Sequence, residues 1–258
     1  MGYKGLELNG KRALVFGGTT GLGQAIALGL AEAGADVVAV SRRREEVEKT
    51  AAAIRGLGRN TLELTGDVTR RDEIQAVIDR MKAGMQRIDI LVNSAGTTKR
   101  APSLEFPEED WDRILNINLK GTWNTCQLVG RVMKEQMYGR IINIASIGAF
   151  QSLYESTPYC ASKGGVAMLT LNLGTELVKY NITVNALAPG VFETAMNRSL
   201  IHEAVRKASI LSHTPMKRFG NVEELKGAAI FLASDSASFV TGHILAVDGG
   251  FVAQGVGG

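Results

Sequence analysis

Along the 258-residue chain, short runs of consecutive apolar residues alternate with longer stretches of mixed polarity. Such runs stand at 13–16, 36–41, 61–65, 89–92, 140–145, 183–187 and 244–247, many of them β-branched and none with a strict in-out alternation. That pattern predicts strands covered on both faces, as in a parallel sheet. Between them, residues 24–33, 45–56, 71–85, 109–137 and 222–233 predict helices, and another helix carries Tyr159 as far as about Tyr180. Strand and helix alternate throughout, with no linker, internal repeat or low-complexity segment, so residues 1–258 read as a single doubly wound α/β domain. Its central sheet is expected to be mostly parallel and seven-stranded, with helices on both faces. Residues 191–216 break the rhythm. They hold Met196, Leu200, Ile201, His202 and Pro215, and read as a lid-like insertion over a site.

Composition changes this picture little. An apolar fraction of 45%, a charged fraction of 21% and a net charge of +3 are ordinary for a globular protein. No basic run or basic-aromatic stripe points to nucleic acid. No apolar run reaches the ~18 residues of a membrane span, and the N-terminus lacks the apolar core of a signal peptide. Cys126 and Cys160 show no ligand spacing, which fits a reducing cytoplasm. His202, without partner ligands, marks a lid residue rather than a metal site, and no metal is expected.

Candidate chemistry lies where strands end. Gly17-Gly18-Thr19-Thr20-Gly21-Leu22-Gly23 follows the first strand and opens a helix. Glycines there let backbone approach a pyrophosphate while helix N–H groups face its charge. The second strand ends in Ser41-Arg42-Arg43-Arg44, with no acid before Glu45. An acid at this point hydrogen-bonds the ribose of NAD, whereas arginine accommodates the 2′-phosphate of NADP. NADP(H) is therefore the expected cofactor, with Arg42 as phosphate clamp, Ser41 or Arg43 assisting, and NAD(H) as the alternative. Asp67-Val68, Asn93-Ser94-Ala95-Gly96, Ser146 and Pro189-Gly190 fall at the ends of later strands, the edge at which open α/β sheets bind ligands. Tyr159 and Lys163, four apart, share one helix face. An ammonium beside a phenol favours the phenolate and makes the tyrosine a usable acid or base.

Gly17-x-x-x-Gly21-x-Gly23, Asn93-x-Ala95-Gly96, Asn118, Ser146, Tyr159-x-x-x-Lys163 and Pro189-Gly190-x-x-x-Thr194 together resemble the short-chain dehydrogenase/reductase family over nearly the whole chain. The resemblance implies a Rossmann domain and a role for each position. The glycine turn would hold the pyrophosphate, Asp67 and Val68 the adenine, and Thr194 the carboxamide. Asn93 would brace the central sheet beside the cofactor. Tyr159 would be the general acid in reduction and base in oxidation, with Ser146 polarising the carbonyl. Lys163 would hold the nicotinamide ribose and lower the Tyr159 pKa, and Asn118 would support a proton relay. Phe192 would lie against the nicotinamide. Two positions depart from the family pattern: Phe16 stands where threonine is common, and Ser94 where asparagine is usual.

The stretch 98–111 resembles members acting on sugar acids, such as gluconate 5-dehydrogenase and 2-deoxygluconate 3-dehydrogenase. Lys99 and Arg100 could attract a carboxylate, while Gln151, Ser152, Tyr154, Glu155 and His202 supply groups suited to hydroxyls. The expected activity is hydride transfer between a nicotinamide and a ketone or secondary alcohol of a sugar acid or polyol. A 3-oxoacyl-carrier-protein reductase and a non-catalytic NADP(H) sensor are the alternatives. The resemblance also implies a homotetramer, with the helices at 109–137 and 159–180 at one interface.

Overall fold

The computed structural model describes residues 3–194, 201 and 203–255. A parallel sheet is built from β1 (Arg12–Phe16), β2 (Asp36–Val40), β3 (Ile90–Asn93), β4 (Gly139–Ile144), β5 (Ile182–Pro189) and β6 (Ile244–Val247), in the order β2-β1-β3-β4-β5-β6. Helices α1 (Gly21–Glu32), α2 (Arg44–Gly56), α3 (Arg71–Met85), α4 (Glu108–Leu115), α5 (Gly121–Gln136), α6 (Thr157–Glu176), α7 (Ala204–His213) and α8 (Glu224–Ala233) connect or cover the strands.

Successive strand residues point to opposite faces, and here both sets are buried. Ala13, Val15, Val37, Ala39, Ile90, Val92, Ile142 and Ile144 pack in one core with residues of α1 and α8. Leu14, Phe16, Val38, Val40, Leu91 and Ile141 pack in another with residues of α3 and α5. A strand buried on both sides has no polar face to spare, which accounts for the continuous apolar runs.

Two expectations need correction. The described sheet has six strands, not seven. Residues 61–65 form no strand because the stretch bonds β2 only at its two ends: Val37 N–H donates to Asn60 O at 3.1 Å and Gly66 N–H to Ser41 O at 3.1 Å. Between these lies one isolated bridge, Ser41 with Thr65. Its side chains Leu62 and Leu64 still pack on the core, so the apolar pattern reports burial without a ladder. The helix expected over 109–137 is interrupted by a π turn at Asn116–Lys120, between α4 and α5.

Strand order reverses at β1. The chain runs from β1 out to β2, then returns to place β3 on the other side of β1. Beyond the carboxyl ends of β1 and β3 lies the crevice where such sheets take ligands.

Candidate active site

Gly17 leaves β1 with φ +74, and a Cβ there would stand 2.5 Å from the Ala95 nitrogen. The turns after β1 and β3 therefore touch backbone to backbone, stitched also by Ser94 N–H donating to Phe16 O at 2.9 Å. A Cβ at Gly23 would stand 2.1 Å from the Gly17 oxygen, so the first turn of α1 folds tightly under the loop. Thr20 caps α1 without a side-chain hydrogen bond. The N–H groups of the first turn are thus left for an anion. Thr194 reaches this turn from the far side of the cleft, its methyl 3.5 Å from the position of a Gly21 Cβ.

At the end of β2, Ser41 Oγ is buried and has no hydrogen-bond partner. Arg42 Nη1 lies 3.7 Å from Asp67 Oδ2, its side chain mostly exposed. The other Asp67 oxygen accepts from Thr69 N–H at 2.9 Å and Thr69 Oγ at 2.8 Å. A buried hydroxyl without a partner, next in sequence to a mostly exposed arginine, fits a phosphate. Arg43 instead reaches Glu46, 3.9 Å away in the first turn of α2. Val68 packs on Gly121, with 2.7 Å from its Cγ2 to a Cβ built there.

Asn93 does not face the cleft. Its Nδ2 donates to Asn143 Oδ1 at 2.9 Å and its Oδ1 accepts from Thr125 Oγ at 2.7 Å. Asn143 in turn donates to Thr170 Oγ at 3.0 Å. This buried network ties β3 and β4 to α5 and α6, and Cys126 hydrogen-bonds within it. Burial pushes the Cys126 thiol up to about 12, so it stays protonated and inert.

Ser146 follows β4, and its hydroxyl accepts from Gly148 N–H at 3.0 Å. Tyr159 stands in the first turns of α6, half-buried. Burial pushes its phenol above the ordinary value, and a hydrogen bond with Ser146 offsets part of that rise. Lys163 is buried and donates to Ile144 O at 2.6 Å, with its Nζ 5.8 Å from the centre of the Tyr159 ring. Desolvation draws the ammonium down to about 8. The pull on Tyr159 thus comes from Ser146 rather than from Lys163, whose first contact is a strand carbonyl.

Asn118 sits in the π turn, fully buried. It accepts from Thr97 N–H at 2.8 Å and donates to Thr97 O at 3.0 Å and Ser162 Oγ at 3.0 Å. Ser162 donates onward to Tyr159 O at 2.7 Å. A Cβ at Gly96 would lie 3.4 Å from Asn118 Oδ1 and 3.8 Å from Lys163 Nζ, so Asn118, Lys163 and the β3 turn enclose one space. A π turn is common at functional positions because one extra wound residue redirects a side chain and frees backbone groups.

The chain is similar to known proteins over most of its length. A family model described as enoyl-(acyl carrier protein) reductase matches residues 17–252. The 2-dehydro-3-deoxy-D-gluconate 5-dehydrogenase of Escherichia coli K12 is 42% identical over 249 residues, 96% of this chain and 98% of that protein. A 3-oxoacyl-[acyl-carrier-protein] reductase of Thermotoga maritima is 39% identical over 96% of this chain and 100% of that protein. A gluconate 5-dehydrogenase from Burkholderia cenocepacia, solved in complex with NADP and tartrate, superposes with a TM-score of 0.94 at 40% identity, covering 98% of this chain and 99% of that one. This chain belongs to the short-chain dehydrogenase/reductase family.

In this member of the family, the residues expected to face substrate are not gathered equally. Lys99 is held by Asp110, which also takes Arg113 at 2.6 Å. These two cations hold the Asp110 carboxyl below its ordinary value. Gln151 donates to Val252 O at 3.3 Å and so ties its loop to the C-terminal segment. Tyr154 is 81% exposed and points to solvent, whereas Phe192 is buried in the core beside α1 and α8, its ring filling the space over Gly220. Arg100 pairs with Glu155 at 3.0 Å. His202, Met196 and Leu200 lie outside the described residues. Among the described residues, no group of three or more histidine, cysteine or acidic side chains is arranged to hold a metal.

Proposed function

We propose that this chain is an NADP(H)-dependent oxidoreductase acting on the ketone or secondary alcohol of a sugar acid. The observation that carries the reading is Tyr159, held between Ser146 and Lys163 at the strand-end crevice. Bound there, the nicotinamide supplies or accepts the hydride. Tyr159 keeps its proton at neutral pH, because burial raises its pKa, and gives it to the carbonyl oxygen in reduction. In oxidation the same oxygen takes the alcohol proton. Ser146 orients the carbonyl oxygen toward the phenol. Lys163 places a charge beside the nicotinamide ribose, and Asn118 holds the π turn and Thr97 for proton delivery. Gly17, Thr19, Thr20, Gly21, Leu22 and Gly23 take the pyrophosphate, Asp67 and Val68 border the adenine, Ala95, Gly96, Pro189 and Gly190 line the cleft, and Thr194 meets the carboxamide. Ser41 and Arg42 take the 2′-phosphate, supported by the orphaned Ser41 hydroxyl and by the NADP in the Burkholderia relative.

The sugar-acid reading is supported by the gluconate and keto-deoxygluconate names of the relatives and by Arg100 beside the site. We further assign residues 1–258 to one domain, with 191–216 as a substrate-covering insertion. Trp111, Trp123, Met168 and Leu171 are between 39% and 58% exposed on α4, α5 and α6. Such unpartnered apolar surface supports a homotetramer built on those helices. Two free cysteines support a cytoplasmic setting, and no helix among the described residues is long and apolar enough to cross a membrane. The test is a screen of 5-keto-D-gluconate, neutral ketoses and acetoacetyl thioesters, following NADPH absorbance. Turnover of the keto acid above the others is expected; preference for the thioester would move the assignment to the 3-oxoacyl reductases.

A further inference from the structure

We propose that Thr170 is a positioning residue for the reaction: paired with Asn143 of β4, it holds α6 at the height where the Lys163 ammonium meets the Ile144 carbonyl. This rests on the reading above in which Lys163 holds the nicotinamide ribose, and it names what holds Lys163. The side chain of Lys163 is 5% exposed, and its Nζ donates to Ile144 O at 2.6 Å. That carbonyl is free because of where β3 stops. Ala145 N–H donates to Leu187 O at 2.8 Å on the β5 side, so across the trans peptide the Ile144 oxygen points to the β3 side. There β3 has already ended, at Asn93 beside Asn143. A buried carbonyl at a strand end needs a donor, and Lys163 supplies it. The bond exists only while α6 keeps its height against β4.

Asn143 and Thr170 set that height. Both are fully buried. Asn143 Nδ2 donates to Thr170 Oγ at 3.0 Å, and the Thr170 hydroxyl gives its one proton to Val166 O at 2.8 Å. Thr170 can therefore only accept from Asn143. On its other side Asn143 Oδ1 accepts from Asn93 Nδ2 at 2.9 Å, and Asn93 Oδ1 accepts from Thr125 Oγ at 2.7 Å. Both amides are thus fixed in orientation, and one chain of donors runs from α5 through β3 and β4 into α6. Seven residues separate Lys163 from Thr170, close to two helical turns, so both lie on one face of α6. That face is fastened to β4 at two adjacent residues, by the side chain of Asn143 and by the carbonyl of Ile144. Removing only the Thr170 hydroxyl leaves a buried Asn143 N–H without its acceptor, a cost that a shift of α6 relieves. Lys163 moves with the helix.

The test compares full-length wild type with Thr170→Val and Thr170→Ala, which remove the hydroxyl with and without keeping its volume, and with Thr170→Ser, which retains it. Cys126→Ala is the control, because its thiol bonds the same network at 3.4 Å from Asn143 Oδ1 but lies on α5. Crystal structures of the cofactor-free proteins should place Lys163 Nζ beyond about 3.5 Å from Ile144 O in Thr170→Val and Thr170→Ala. The bond should remain in Thr170→Ser and Cys126→Ala. By titration calorimetry, both hydroxyl-free variants should bind NADPH about tenfold more weakly, while 2′,5′-ADP, which has no nicotinamide ribose, changes less than about threefold. Their kcat for 5-keto-D-gluconate should fall about 10–100-fold, the scale of a misplaced group. A Lys163–Ile144 bond kept in both hydroxyl-free variants would overturn the proposal. So would equal weakening of NADPH and 2′,5′-ADP, or a loss in Cys126→Ala as large as in Thr170→Val. A bond lost in Thr170→Val and kept in Thr170→Ser, in a protein whose wild type binds no NADPH, would uphold the positioning of Lys163 and sink the proposed function alone. NADPH-dependent reduction of the keto acid by Thr170→Val at the wild-type rate would do the reverse.

Discussion

The two sides of the crevice are built differently. The cofactor side is made by backbone: the Gly17 turn pressed on Ala95, the uncapped start of α1, and strand ends locked in register, Phe16 beside Val40 and Asn93. The side expected to face substrate is made by side chains on loops far apart in sequence, such as Arg100 and Glu155, paired at 3.0 Å. A backbone cradle tolerates almost any side chain outside its glycines, so it can serve many family members unchanged. A side-chain wall changes its ligand with each substitution. The same scaffold can therefore carry gluconate dehydrogenases and acyl-carrier-protein reductases at similar identity to this chain.

The contrast can be broken most severely at the group both sides share. Tyr159→Phe should keep NADPH affinity and lose at least about 10³-fold in turnover, the range of a lost general acid; steady-state kinetics with fluorescence titration of NADPH separates the two. On the cofactor side, Arg42→Ala should weaken NADPH about 10–100-fold and NADH hardly at all. Equal losses would show that the 2′-phosphate is not read there. Lys163 gives a smaller, signed effect on stability. Its folded pKa of about 8 lies below the model-peptide value of 10.5, so the unfolded chain binds more protons between those limits. Stability of the cofactor-free protein should rise with pH across that window, and the cost of the buried charge is fully present below about pH 8. Denaturant midpoints should show this rise in wild type and lose it in Lys163→Met. The smallest effect is expected on the substrate side at Lys99, which is committed to Asp110. Lys99→Met should change keto-acid kcat/KM by less than about threefold, because its ammonium is engaged by Asp110 rather than offered to a ligand.

Much of the site was legible because its groups lie at fixed offsets from strand ends. Gly17, Ser41 and Ser146 each follow a strand by a residue or two, and a parallel sheet brings all such ends to one edge. Tyr159 and Lys163 were legible through helical spacing. Other features were hidden because they depend on partners elsewhere in the chain. The π turn at Asn118 has the same composition as ordinary helix, and only its bonds to Thr97 and Ser162 mark it. Residues 61–65 look like a strand because Leu62 and Leu64 are part-buried, yet pairing with β2 stops at the ends. Phe192 follows Pro189-Gly190 at a spacing that suggests the nicotinamide, and its packing over Gly220 is a contact that spacing does not show.

The order of apolar runs, the glycines and the spacing of Tyr159 from Lys163 were enough to predict a doubly wound sheet and to mark a candidate dinucleotide turn and a candidate acid–base tyrosine. These are local properties, set by backbone sterics and by the two- and 3.6-residue periods of strand and helix. Which cation remains available to a ligand is not local. Lys99 and Arg100 are adjacent and similarly charged, yet folding gives the first to Asp110 and the second to Glu155, with the Arg100 Nε buried and unpaired. Charge pairing and desolvation depend on what the chain brings within a few ångströms from distant positions, and that is settled only when the loops close over the sheet edge.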